Sequence, residues 1–117
     1  NDSVRFCMSL GQRRYYSMLK YVQLVIGNSS SGIIEVQSFQ LPVINVGSRQ
    51  LGRVSNPNVI HVPANSDAVI AAITKAKSQS FKAEFEGKMN VYGDGKACAR
   101  IADFLKKIPR DKLLAKR

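Results

Sequence analysis

Three short runs rich in β-branched residues constrain this chain more than any other feature: Leu24-Val25-Ile26, Val43-Ile44-Asn45-Val46 and Val59-Ile60-His61-Val62. A continuous apolar run of that length fits a strand covered on both faces, the condition of a parallel sheet flanked by helices. The intervening segments supply helices. RRYYSMLKYV (13–22) sets Tyr15, Met18, Leu19 and Val22 at i, i+3, i+4 and i+7, which predicts a helix with that stripe in the core. Residues 33–39 predict a short helix stopped at Leu41-Pro42, because proline disfavours the helical region for the residue before it. Ser66 or Asp67 is a candidate cap for a helix through Lys77, with Val69, Ile70, Ile73 and Ala76 on one face.

At the ends of the chain, residues 5–9 predict a short strand ending at Leu10-Gly11. Residues 78–91 read as polar and irregular, and YGDG (92–95) as a turn whose glycines allow positive φ. An amphipathic helix follows, with Ala97, Ile101, Phe104, Leu105 and Ile108 predicted to face inward. The order β-α-β-α-β-β-α-α predicts an α/β layered domain with a mainly parallel sheet. Ligands of such folds collect at the carboxyl ends of the strands.

Length and composition narrow the function. A chain of 117 residues makes one domain or part of one, and 44% hydrophobic with 22% charged residues is a globular composition. The net charge of +10 raises nucleic acid as a partner, but half of the excess lies in KKIPRDKLLAKR (106–117), which reads as a solvated basic tail. The rest carries no basic stripe interleaved with aromatics, so no nucleic-acid partner is expected. Cys7 and Cys98 stand far apart without metal-ligand spacing, which predicts reduced thiols and a cytoplasmic setting. With His61 the single histidine, no metal site is expected, and His61 itself reads as a satisfied strand residue. No apolar run approaches the roughly 18 residues of a membrane span, so no membrane partner is expected.

The chemistry concentrates in VIGNSSSGIIE (25–35), where a strand hands over to a helix. Free backbone N–H groups at a helix start attract phosphate, serine hydroxyls add donors, and Gly32 permits close approach. A plain N-cap is the competing reading. One cap requires one serine, however, and here there are three. Glu35 lies three residues after Gly32 rather than after a serine, so a capping box is not available to it. As an acceptor-only carboxylate it suits a vicinal diol such as the 2′- and 3′-hydroxyls of ribose. The next loop, RQLGR (49–53), brings Arg49 and Arg53 to a strand's carboxyl end, where guanidinium groups either clamp phosphate oxygens or stand solvated. Asp94 reads as a turn and cap residue before the last helix.

GNSSSGIIE, LPVINVGSRQLGR and YGDGKACARI, in that order and preceded by SLGQRRYYSMLKYVQLVIG, resemble the carboxyl-terminal domain of UDP-N-acetylglucosamine 2-epimerases, in particular the hydrolysing branch of sialic-acid synthesis. The resemblance implies a glycosyltransferase-B-like fold of two Rossmann-like halves with the active site between them. Residues 1–105 would be most of the carboxyl-terminal, UDP-binding half, residues 106–117 the basic tail, and the amino-terminal half a missing partner. It also implies that Ser29 and Ser30 bind the UDP phosphates and that Glu35 holds the ribose hydroxyls. Arg49 would approach the phosphates, Gly32 would allow close packing in the same loop, and Arg53 belongs to the motif.

The implied reaction eliminates UDP from UDP-N-acetylglucosamine to give 2-acetamidoglucal, then adds water at C1 with inversion at C2, releasing N-acetylmannosamine. No cofactor is implied. No general acid or base is assigned to this chain, because the resemblance places the proton-transferring carboxylates largely in the other half. A homodimer is a further implication. The sequence departs from the pattern at Gln37 for proline, Gln40 for glycine, Ser48 for Asp or Thr, and Val91 for proline. The alternatives are a non-hydrolysing epimerase or a nucleotide-sugar glycosyltransferase, and a non-catalytic basic binding module.

Overall fold

The structure, a computed structural model, describes residues 2–109. Its elements are helix α1 (Gly11–Met18), strand β1 (Val25–Gly27), helix α2 (Ser30–Ile34), a 3-10 turn (Val36–Phe39), strands β2 (Val43–Val46) and β3 (Val59–Val62), and helices α3 (Ser66–Ala76), α4 (Gln79–Phe85) and α5 (Ala97–Lys107). The three β-branched runs become a parallel sheet in the order β1-β2-β3, with Val25, Val43 and Val59 in register, and Ile26, Ile44 and Ile60 beside them.

Alternation along the strands splits these two rows between opposite faces. On one face Val43 joins Leu19 of the segment after α1 and Val36 of the 3-10 turn, with Tyr15, Tyr16, Val25, Phe39 and Val59 around them. On the other, Ile44 packs on Ala72 and Ala76 of α3, flanked by Val46, Ile60, Val62 and Ile73. Both faces are thus covered at β2, which is why its run is apolar throughout. Ile26, on edge strand β1, remains 45% exposed.

β1 and β2 are joined by a helical crossover, whereas β2 and β3 are joined by residues 47–58 without a helix. Such a segment needs side chains to satisfy its backbone and its neighbours. Asn56 and Asn58 supply them: Asn58 Nδ2 donates to Leu41 O (2.7 Å), and Asn56 Nδ2 donates to Ile33 O (3.2 Å) and Asn90 Oδ1 (2.9 Å).

Several expectations require correction. Residues 5–9 form no strand; they are exposed, without a neighbouring strand to pair with. The first helix runs from Gly11 to Met18, and Met18 is exposed while Leu19 carries the burial. The helix expected over 33–39 starts earlier, at Ser30, and tightens to a 3-10 turn. α3 is capped by Asn65, whose side chain accepts from Ala68 N–H (2.8 Å), rather than by Ser66 or Asp67, and Ile70 is exposed while Ala72 is buried. Residues 78–91 are not irregular throughout. Ser78 caps α4, which buries Phe81 and Phe85 at i, i+4 with ring centroids 5.4 Å apart. α5 forms where expected, but Ala97, Ile101, Phe104 and Leu105 are exposed, Phe104 at 65%. Helical periodicity identifies a face suited to burial, whereas the sheet's faces are already occupied by α1, α2 and α3. α5 also extends two residues into the expected tail, and residues 110–117 of that tail lie outside the described residues.

Of the departures from the resembled pattern, Gln37 and Gln40 share the Lys88 carbonyl, and Val91 makes a separate bond. Gln40 holds a left-handed φ of 55°, a conformation costly for a side chain and easy for glycine. Its amide compensates by donating to Gln37 O (3.0 Å) and Lys88 O (3.2 Å) and accepting from Gly87 N–H (2.7 Å). Gln37, fully buried, donates to the same Lys88 carbonyl (2.9 Å) and to Phe85 O (3.2 Å). Val91 uses an N–H that proline lacks to bond Asn56 Oδ1 (2.9 Å). Together these bonds latch residues 85–91 to the segment that carries Glu35.

Candidate functional site

All three strands point their carboxyl ends to one edge, so the loops that begin at Asn28, Gly47 and Pro63 converge there. The serines of the first loop divide their work. Ser29 is the N-cap of α2, its Oγ accepting from Ser31 N–H (3.3 Å). A hydroxyl that accepts keeps its own proton to donate. Ser30 opens α2 with no side-chain bond among the described residues. Ser31 Oγ donates to Glu35 Oε2 (2.6 Å) and lies 2.8 Å from the Tyr15 hydroxyl. The cap therefore occupies the Ser29 oxygen as an acceptor while leaving its proton and the Ser30 hydroxyl without a partner among the described residues. α2 has only five residues, so its macrodipole adds little, and any anion binding rests on discrete N–H and O–H donors.

Gly32 is buried within α2. A Cβ there would stand 2.9 Å from Val43 Cγ1, so this glycine lets α2 lie directly on β2. Glu35 is half-buried at the junction of α2 and the 3-10 turn, its N–H bonded to Ser31 O (2.9 Å). It lines two clefts. One, of about 760 Å³, includes Tyr15, Ser29 and Ser31; the other, of about 380 Å³, includes Tyr92, Gly93, Asp94 and Arg100.

Arg49 is exposed and lines a crevice with Gly27, Asn28, Gly47 and Ser48, while Arg53 is exposed farther along the same loop. What ties this loop to the serine loop is Gln50, 4% exposed, whose Nε2 donates to Asn28 O (2.8 Å). Gln50 was not among the residues expected to matter in this loop. A long amide in a loop beside a strand end was the available signal, since buried polar groups must find partners.

Asp94 accepts from both guanidinium nitrogens of Arg100 (2.8 and 2.9 Å) and from Lys96 N–H (3.0 Å). Those bonds, Arg100's first, hold its carboxyl well below the usual carboxylate range. It stays ionised and orders the approach to α5, the turn role expected of it, but it does not cap the helix, whose N-cap is Lys96 with no side-chain cap bond. His61 also matches expectation. It stands in β3 between Asn45 Nδ2 (3.1 Å) and Ser55 Oγ (3.0 Å), and with Asn45 donating to Nδ1, the Nε2 proton goes to Ser55. Cys7 and Cys98 are free and exposed. No helix among the described residues is long and apolar enough to cross a membrane.

Hydroxyls, a carboxylate and a guanidinium on neighbouring loops at strand carboxyl ends are what a nucleoside diphosphate requires. The family model for UDP-N-acetylglucosamine 2-epimerase matches residues 1–106. The chain belongs to this family. It is 36% identical over 92% of its length to polysialic acid biosynthesis protein P7 of Escherichia coli. It is 41% identical over 93% of its length to the UDP-N,N′-diacetylbacillosamine 2-epimerase (hydrolyzing) of Legionella pneumophila. A GDP/UDP-N,N′-diacetylbacillosamine 2-epimerase (hydrolyzing) of Campylobacter jejuni is 42% identical over 63% of the chain and 19% of its own length. The chain spans 28% of the length of the Escherichia coli and Legionella relatives.

Proposed function

We propose that this chain is the UDP-binding part of a hydrolysing UDP-N-acetylglucosamine 2-epimerase. In this reading residues 1–105 form most of the carboxyl-terminal half of a glycosyltransferase-B-like fold. The observation that carries it is the placement of Ser29, Ser31 and Glu35 on one cleft, with Arg49 on the adjoining loop that Gln50 fastens to Asn28. The Ser29 and Ser30 hydroxyls and Arg49 bind the diphosphate, with Arg53 farther out. Gly32 packs the cradle onto the sheet, and Glu35 accepts from the ribose hydroxyls. Holding the diphosphate favours its departure from C1, because donors that neutralise developing charge on a leaving group lower the barrier to bond breaking. No residue of this chain is assigned to proton removal at C2 or to water addition at C1 of the resulting 2-acetamidoglucal.

The hydrolysing branch is supported by the names of the Legionella and Campylobacter relatives. Those names also raise UDP-N,N′-diacetylbacillosamine as the sugar nucleotide. The residues assigned here address the nucleotide, which the two substrates share. The parent protein, incubated with each, is expected to release UDP and the free 2-epimerised sugar. Recovery of the epimer still attached to UDP, or transfer of the sugar to an acceptor, would overturn the hydrolysing reading. Glu35→Ala is expected to weaken UDP binding by roughly tenfold or more, the loss of hydrogen bonds to a charged acceptor. Unchanged affinity would remove Glu35 from the site.

A further inference from the structure

The three serines of residues 29–31 are chemically alike, but the hydrogen bonds give the third a different task. Ser31 Oγ lies 2.6 Å from Glu35 Oε2, the short separation of a charge-assisted bond. An ionised carboxylate only accepts, so Ser31 must donate its single hydroxyl proton to it. With that proton committed, the 2.8 Å contact between Ser31 Oγ and the Tyr15 hydroxyl has one possible direction: Tyr15 donates to Ser31. The result is a directed chain, Tyr15 O–H to Ser31 O–H to Glu35, running from α1 across to the end of α2.

Every link is held in place by something else. Tyr15 packs against the cluster of Leu19, Val36 and Val43, and its ring lies 5.8 Å from that of Tyr16, which in turn lies 5.7 Å from Phe39. Ser31 and Glu35 are i and i+4 on one helical face, and Ser31 O accepts the Glu35 backbone N–H at 2.9 Å. One residue therefore grips both the backbone and the side chain of Glu35. Among the described residues Glu35 Oε1 makes no hydrogen bond, and Glu35 lines the same cleft as Tyr15, Ser29 and Ser31. A glutamate has three side-chain torsions to immobilise when it binds a ligand. Fixing them beforehand removes that cost from binding.

We propose that Ser31 and Tyr15 are positioning residues that fix Glu35 with Oε1 free for a paired hydroxyl ligand, so that they set the preference for ribonucleotide over deoxyribonucleotide. Ser31 is then not a phosphate donor, and the diphosphate is left to Ser29 and Ser30. The proposal rests on the reading of Glu35 as the ribose acceptor.

The test is calorimetric binding of UDP and of 2′,3′-dideoxy-UDP to the parent protein and four variants, read as the ratio of the two affinities. The parent is expected to prefer UDP, and Glu35→Ala to lose that preference. Ser31→Ala should reduce the ratio by roughly five- to tenfold, and Tyr15→Phe by roughly two- to threefold, while dideoxy-UDP affinity holds. Ser31→Thr, which keeps the hydroxyl, should restore the ratio to within about twofold of the parent. If Glu35→Ala loses the preference but Ser31→Ala and Tyr15→Phe retain it, the relay is wrong and the ribose reading stands. If Ser31→Ala weakens both nucleotides equally, Ser31 serves the phosphates or the fold, and the proposal fails. If Glu35→Ala itself keeps the preference, the ribose reading fails and the relay with it.

Discussion

Asn56 is 2% exposed in a connection that has no helix or strand of its own, and its side chain bonds both Ile33 of α2 and residues 90 and 91. Asn56→Ala leaves the part-buried Val91 N–H without its acceptor and withdraws a donor from Ile33 O, whereas Asn90 Oδ1 keeps Tyr92 N–H at 3.0 Å. Each orphaned group costs about 1–3 kcal/mol, and partial access to water at the neighbouring loop places the sum near about 3 kcal/mol. With a urea dependence of about 1.5 kcal/mol per molar, the unfolding midpoint should fall by about 2 M. Circular dichroism during urea titration measures it. Asn56→Asp keeps an acceptor for Val91 but turns a carboxylate toward two carbonyl-type oxygens, so at neutral pH it should be at least as damaging. A midpoint within about 0.3 M of the parent for Asn56→Ala, or parental stability for Asn56→Asp, would refute the idea that this amide holds residues 90–92 against α2.

Two further perturbations address the site's supports. Gly32→Ala places a methyl group 2.9 Å from Val43 Cγ1 and should cost about 1–3 kcal/mol in unfolding free energy. Adding Val43→Ala should cost less on the Gly32→Ala background than on the parent, and simple additivity would show that the contact is not the cause. Asp94 is held below its unfolded carboxylate value by Arg100 and the Lys96 N–H, so the stability it lends α5 is present above about pH 4 and is lost as pH falls below that. Helicity followed by circular dichroism should therefore drop on acidification, and Asp94→Asn should flatten that step; a step of unchanged size in the variant would assign it elsewhere.

Much of the frame was legible because it follows from local rules. The β-branched runs at 43–46 and 59–62 become strands where the sequence puts them, and Gly93 and Gly95 of YGDG take positive φ, although the hydrogen-bonded turn runs from Asn90 to Gly93. Motif order likewise anticipated the family. Two of the misreadings share a cause. A strand at residues 5–9 required a neighbour to pair with, and α5's apolar stripe required a surface to cover it. Neither requirement is written in the segment itself. α4 was overlooked because its two phenylalanines sit among lysines and glutamates, a pattern too short for periodicity to stand out.

The candidate site shows the same division. The sequence by itself determined which chemical groups are available at the strand ends: three serines, one carboxylate and two arginines within two loops. It also determined that those loops follow consecutive strands, since chain order and hydrophobic pattern are local properties. Only the tertiary structure decided what each group is free to do. Ser29 caps and Ser31 is committed to Glu35, while a tyrosine sixteen positions earlier stands behind Ser31. Gln50 joins the loops, and Asn56 and Asn90 fasten the segment behind Glu35. The physical reason is that a hydroxyl has one proton and a buried amide must find partners, and which partner claims them depends on packing between elements distant in sequence.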